Sequence, residues 1–162
     1  MGAVAAPKGQ TSEQSAGDRS SGGVVVGIDG SESSIDALRH AVRVAKAFGA
    51  SLEAITVWNY PPVFETYPPA NWSPEADARE IVDTAAKEVF GGDLPSWFRA
   101  TTRRGSIART LIEESEGAAM LILGSRGHGG FVGLLLGSVS AACAEHAHCP
   151  VLIVHPARGS GD

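Results

Sequence analysis

The sequence predicts an α/β protein built on a parallel sheet, and three observations carry that prediction. Short runs of β-branched and aliphatic residues, such as Val24–Ile28 and Val151–Val154, have the form of strands buried on both faces. Stretches with helical spacing separate these runs. Gly, Ser and Pro punctuate the changeovers. Strands alternating with helices are joined by right-handed crossovers, which place helices on both faces of one sheet.

Each element can be placed in order. Residues 1–23 are rich in Gly, Ser and Ala, bury too little to offset their ordering entropy, and are expected to form a flexible tail. Val24–Ile28 is the first strand, ending in Asp29-Gly30-Ser31. Ser31 or Ser33 can cap a helix whose apolar face is Ile35, Leu38, Val42 and Ala45, with Gly49 placed to end it. Leu52–Val57 is the second strand. Trp58 to Trp72 carries four prolines and is expected to be a long loop without regular structure. Ser73-Pro74 is an N-cap with Pro at the first helical position, opening a helix through Phe90. Trp97–Arg103 is the third strand, Ser106–Glu116 a helix and Ala119–Leu123 the fourth strand. A last helix starts near Ser138, Val151–Val154 is the fifth strand, and residues 157–162 form a short tail. One domain spanning residues 24–156 is expected.

Bulk properties narrow the function classes. A chain of 162 residues can bury a sizeable core. Its net charge of −5 opposes general affinity for nucleic acid or anionic membrane. The pair Arg103-Arg104 is the one basic cluster, expected as a solvated strand end. Cys143 and Cys149 lack C-x-x-C spacing, so neither a disulfide framework nor structural zinc is indicated, and a cytoplasmic setting is the expectation. No apolar run approaches the ~20 residues of a membrane span.

The chemistry concentrates after the fourth strand, in Gly124-Ser125-Arg126-Gly127-His128-Gly129-Gly130, followed by Gly137-Ser138 at the start of the last helix. Glycines let backbone amides approach an anion, and a helix N-terminus adds unpaired N–H groups with partial positive charge. Ser138 adds a hydroxyl. The strand end is also where open α/β sheets bind ligands, which favours a phosphate cradle over a merely flexible loop. The spacing is not that of a P-loop, because G-x-x-x-x-G-K-[ST] is absent. Nor is it G-x-G-x-x-G, because Val132 stands at the third glycine position counted from Gly127.

Gly124-x2-Gly127-x9-Gly137-Ser138 resembles the ATP-binding pattern G-x2-G-x9-G-[ST] of the universal stress protein family. The likeness covers residues 24–156 and includes Val25-Val26-Gly27-Ile28-Asp29-Gly30-Ser31 and Cys149-Pro150-Val151-Leu152-Ile153-Val154. One departure is Ala118-Ala119-Met120, where many relatives have an Asp before the strand. The resemblance implies a five-stranded sheet of order 3-2-1-4-5, related to the adenine nucleotide alpha-hydrolase fold, with Asp29 and Gly124 facing one crevice. It implies that Asp29 meets the ribose or adenine and that Val57 packs by the base. Gly127, Gly137, Ser138 and Ser140 match phosphate-contacting positions, joined by the backbone amide of Val139. ATP is the implied ligand, with room for Mg²⁺ or Mn²⁺ to bridge its phosphates. Dimerisation through the last strand is also implied.

Other residues carry weaker signals. Arg126 suits phosphate and suits solvent equally well. His128 reads as an exposed loop histidine, and Cys143 as a small core residue. His146, His148 and Cys149 lack a fourth ligand at zinc-binding spacing. Trp58, Tyr60 and Tyr67 read as packing residues. G-x-S-x-G, H-E-x-x-H and the S-G-G-x-D-S loop of ATP pyrophosphatases are all absent, so a regulatory nucleotide-binding protein is expected rather than an enzyme. The alternatives are slow ATP hydrolysis on the same fold and a ligand-free interaction module.

Overall fold

The computed structural model describes residues 22–128 and 136–156. Both predicted tails, apart from Gly22 and Gly23, lie outside the described residues. Gly22 and Gly23 are tied into the sheet: Gly22 donates to the Gly117 carbonyl at 2.9 Å, and the Gly23 carbonyl accepts from Ala119 at 2.8 Å.

Five parallel strands form one sheet: β1 (Val24–Gly27), β2 (Leu52–Trp58), β3 (Phe98–Arg104), β4 (Met120–Gly124) and β5 (Val151–Val154). Their order is β3-β2-β1-β4-β5. Four α-helices connect them: α1 (Glu32–Phe48), α2 (Pro74–Phe90), α3 (Ile107–Glu114) and α4 (Ser138–His146). Pleating divides the core between the two faces. Val24, Val26, Leu52, Ala54 and Ile122 pack with α1 and α2 residues such as Leu38, Ala41 and Val82. Val25, Ile55, Leu121 and Leu123 face Leu111 of α3 and Cys143 of α4. Burial pushes the Cys143 thiol up to about 11, so it is an inert core group.

The caps follow local chemistry. Ser31 Oγ accepts the Ser34 amide at the start of α1, and Gly49 ends that helix at φ 61°, a left-handed conformation that glycine adopts without strain. Ser73 Oγ caps α2 through the Ala76 amide, with Pro74 in its first turn. Both helices begin and end within one residue of the positions read from sequence.

Two expectations are corrected. The segment from Trp58 to Trp72 is not wholly irregular, since Trp58 closes β2 and Pro62–Phe64 forms one 3-10 turn. Aromatic edges rigidify it: Trp58 meets Tyr60 at 5.9 Å, Tyr60 meets Trp72 at 6.0 Å and Phe64 meets Trp72 at 5.8 Å. Tyr67, expected to pack, is 83% exposed. The Arg103-Arg104 pair is also not simply solvated. Arg103 reaches Glu53 at 2.9 Å and Glu114 at 3.0 Å, while Arg104 lies 5.7 Å from both the Trp58 and Tyr60 ring centres.

The end of β4 runs hard against the first turn of α1. A Cβ on Gly124 would lie 2.8 Å from the Ser33 carbonyl carbon and oxygen, which are backbone atoms with little freedom to move. Gly124→Ala is therefore expected to lose about 1–3 kcal/mol of stability by overpacking. Gly92→Ala, whose added methyl meets nothing within 4 Å, should serve as a neutral control. Urea denaturation midpoints of the two variants check this.

Candidate functional site

In order β3-β2-β1-β4-β5 the chain leaves β1 toward one side of the sheet and β4 toward the other, so the loops after these neighbouring strands diverge and leave a crevice. A cavity of about 740 Å³ opens there, in the range of small-molecule sites. A smaller hollow of about 320 Å³ lies at the opposite end of the strands, around Leu52, Trp97 and Gly117. The larger one holds the chemistry read from sequence. Asp29, Val57, Gly124, Arg126, Gly127, Gly137, Ser138, Val139 and Ser140 all line it.

One wall is backbone. Gly137 donates its amide to the Ser125 carbonyl at 2.8 Å, which lays the start of α4 along the strand end. A Cβ on Gly137 would stand 3.7 Å from the Ser125 carbonyl oxygen and 3.8 Å from the Gly127 nitrogen. The two segments are joined by this hydrogen bond, and a methyl on Gly137 would meet only ordinary contacts between them. Gly137 is the N-cap of α4, with no side-chain cap and no acidic residue in the first turn. The first intrahelical bond there is Ala141 to Gly137 at 3.0 Å, so the amides of Ser138, Val139 and Ser140 precede the helical ladder. By contrast α1 and α2 start with a serine cap and acidic side chains. The start of α4 keeps its partial positive charge for whatever enters the cavity.

Part of the same cavity is apolar. Ile55 and Val57 of β2, Ile81 of α2, and Ile107 and Leu111 of α3 line it. Ile107 is half exposed, as expected for an apolar side chain facing a cleft. The lining thus combines apolar side chains with exposed backbone amides.

Asp29 lines the same cavity. Its Oδ1 accepts the Ser31 amide at 2.9 Å and the Ser31 hydroxyl at 2.5 Å, and its Oδ2 accepts the His128 amide at 3.0 Å. Burial on its own raises this carboxyl. The bonds from Ser31 and His128, with the Ser34 side chain, outweigh burial and hold it below its ordinary 3.8. A Cβ on Gly127 would overlap Asp29 Oδ2, so this turn admits only glycine without displacing the carboxylate.

Two sequence-based roles change. Ser140 lines the cavity, but its hydroxyl donates to the Gly124 carbonyl at 2.7 Å, fastening α4 to β4 rather than pointing an O–H at a ligand. His128, read as a loop residue, contributes through its amide, which sequence cannot reveal because every residue but proline has one. Ile81 and Ile107 were missed for a similar reason, since each reads as one more apolar helix position. Arg126 is exposed and lines the cavity. The aromatic side chains of Trp58, Tyr60 and Tyr67 do not line it. Among the described residues no group of three His, Cys, Asp or Glu is arranged to hold a metal, and no helix is long and apolar enough to cross a membrane.

Known proteins share this fold. The profile of the universal stress protein family matches residues 22–155, which is nearly everything the strands and helices occupy. The chain belongs to the universal stress protein family. A universal stress protein of Mycolicibacterium smegmatis is 33% identical over 145 residues, covering 82% of this chain and 45% of the relative. One from Methanocaldococcus jannaschii is 29% identical over 136 residues, covering 81% of this chain and 80% of the relative. The chain spans about half the length of the mycobacterial relatives it matches. Among solved structures, a universal stress protein in complex with cAMP is 30% identical, with a TM-score of 0.61 over 83% of this chain and 96% of that one. The Lactobacillus plantarum family member has a TM-score of 0.69 at 19% identity over 83% of this chain and 97% of that one, a likeness of fold alone.

The lowered Asp29 carboxyl has a consequence for stability. A group whose folded pKa is depressed stabilises the fold above its unfolded value, and that contribution disappears as pH falls through the folded value. The stability difference between wild type and Asp29→Asn should therefore be constant from about pH 7 down to the carboxyl's ordinary 3.8 and shrink below it. Denaturant titrations across this range measure it.

Proposed function

We propose that this universal stress protein binds ATP in the β1–β4 crevice and acts as a regulatory module whose conformation or assembly follows nucleotide occupancy. The observation that carries the reading is the N-terminus of α4, which has no side-chain cap and no acidic residue in its first turn, bonded to the Ser125 carbonyl in a cavity that also has apolar lining. Phosphates would lie on the amides of Ser138 and Val139 with the Ser138 hydroxyl beside them, and the base would lie by Val57 and Ile107. A cavity of about 740 Å³ accommodates a nucleotide. The cAMP complex of a 30% identical family member supports an adenine nucleotide as the ligand class. ATP is preferred to a monophosphate because Gly124, Gly127, Gly137 and Ser138 extend the backbone wall from the end of β4 to the start of α4.

A divalent cation would depend on phosphate oxygens. Asp29 is the carboxylate lining the cavity among its described residues, and its oxygens already accept three hydrogen bonds. The ligand would therefore bring most of the coordination shell for Mg²⁺ or Mn²⁺. The same shortage of free acid–base groups favours binding over turnover. Slow hydrolysis by a loosely held water is the alternative reading, and release of phosphate by purified protein would establish it.

Assembly is the second part of the proposal. β5 pairs with β4 on one side and presents its other edge, with Val151, Leu152 and Ile153 only partly buried. An apolar edge of this kind is protected by a second copy of the chain. Sedimentation or light scattering should give twice the 16.7 kDa chain mass, and a monomer at all concentrations would reject the dimer.

Gly137→Ala tests the cradle. Its methyl makes only ordinary contacts, the nearest at 3.7 Å, so the fold should persist. ATP affinity by calorimetry should fall about tenfold, equivalent to ~1.4 kcal/mol, because the methyl covers the anion-facing backbone. Unchanged affinity would remove the phosphates from this loop.

A further inference from the structure

We infer that Asp29 is a positioning residue for phosphate recognition, holding the Gly127–His128 turn in place through the His128 amide. The inference rests on the nucleotide reading above and assigns Asp29 a main role different from contact with the ribose or base. The two oxygens of the carboxylate do different work. Oδ1 is fixed to the start of α1 by the Ser31 amide at 2.9 Å and hydroxyl at 2.5 Å. Oδ2 takes the His128 amide at 3.0 Å, across 99 residues of chain. The loop after β4 is thereby tied to the rigid cap of the helix after β1.

The surroundings argue for this indirect role. A carboxylate accepts hydrogen bonds and donates none, so it cannot bind a phosphate oxygen. Its negative charge in the same cavity opposes phosphate by Coulomb repulsion. Three of its roughly four acceptor directions are already occupied, leaving about one for a ribose hydroxyl. A side chain at Gly127 would overlap Oδ2 and push the carboxylate away, and the same turn is bonded to the helix start by the Gly137 amide on the Ser125 carbonyl at 2.8 Å. Asp29, the 125–128 turn and Gly137 therefore link the cap of α1 to the N-terminus of α4. Preorganising the turn removes an ordering cost that the ligand would otherwise bear.

Removing the charge and removing the positioning act in opposite directions, and this separates them. Affinities for ATP and for adenosine would be measured by calorimetry on wild type, Asp29→Asn and Asp29→Ala, with unfolding midpoints to confirm folding. Asp29→Asn keeps one acceptor for Ser31 and turns an amide N–H₂ toward the His128 N–H, so it spares α1 while breaking the tie. The ratio of ATP to adenosine affinity should fall about tenfold in both variants. The His128 amide proton resonance should also move upfield as its charged acceptor is lost. A ratio that rises would show that only a repulsive charge had been removed, and would overturn the inference. A ratio that holds while adenosine affinity drops would assign Asp29 to the nucleoside and overturn it as well. A wild type that binds neither ligand would overturn the nucleotide reading and this inference with it.

Discussion

The pairing of β1 with β4 is the constraint from which the rest of this molecule follows. Val24, Val25 and Val26 lie beside Met120, Leu121 and Ile122, strands separated by more than ninety residues of chain. That ladder brings Asp29 and Gly124–His128 to one end of the sheet. Because the crossovers from these neighbouring strands leave toward opposite sides, the described residues leave the space between them open. The crevice is thus a consequence of topology. Its contents are a consequence of which residues can tolerate the crowding there.

Crowding explains the glycines better than flexibility does. Gly124 sits against the Ser33 backbone, Gly127 against the Asp29 carboxylate, and Gly137 against the 125–127 backbone. At Gly124 the neighbour is main chain and at Gly127 it is a carboxylate, and neither leaves room for a side chain, whereas at Gly137 a methyl would meet only ordinary contacts. Exposed amides follow directly, because a wall made of backbone presents N–H groups to the cavity. This lets an acidic chain of net charge −5 keep a site suited to an anion without assembling lysines and arginines around it.

Sequence reasoning reached the elements well where the signal was local. The Ser73-Pro74 start of α2, the Gly49 stop of α1 and the Val151–Val154 strand depend on caps, turns and continuous apolar runs, which adjacent residues specify. It misjudged what partners decide. Arg103 reads as a solvated cation, yet Glu53 on β2 and Glu114 on α3 surround it. The prolines between Trp58 and Trp72 read as irregular chain, yet aromatic edges and the Arg104 guanidinium order that segment. Ser140 reads as a phosphate contact, yet its proton is used within the fold.

The glycine spacing, the alternation of strand and helix, and the Asp29-Gly30-Ser31 turn are written in the chain itself. From them alone come the fold class and the proposal of an anion site after β4, because periodicity and conformational freedom are properties of short stretches. What only the tertiary structure decided is how Asp29 is used. A carboxylate after a strand can cap, bind or catalyse, and the sequence holds no record of the His128 amide that meets it from 99 residues away. Hydrogen bonds of that kind involve the main chain, which is the same at nearly every position, so only the folded geometry distinguishes them.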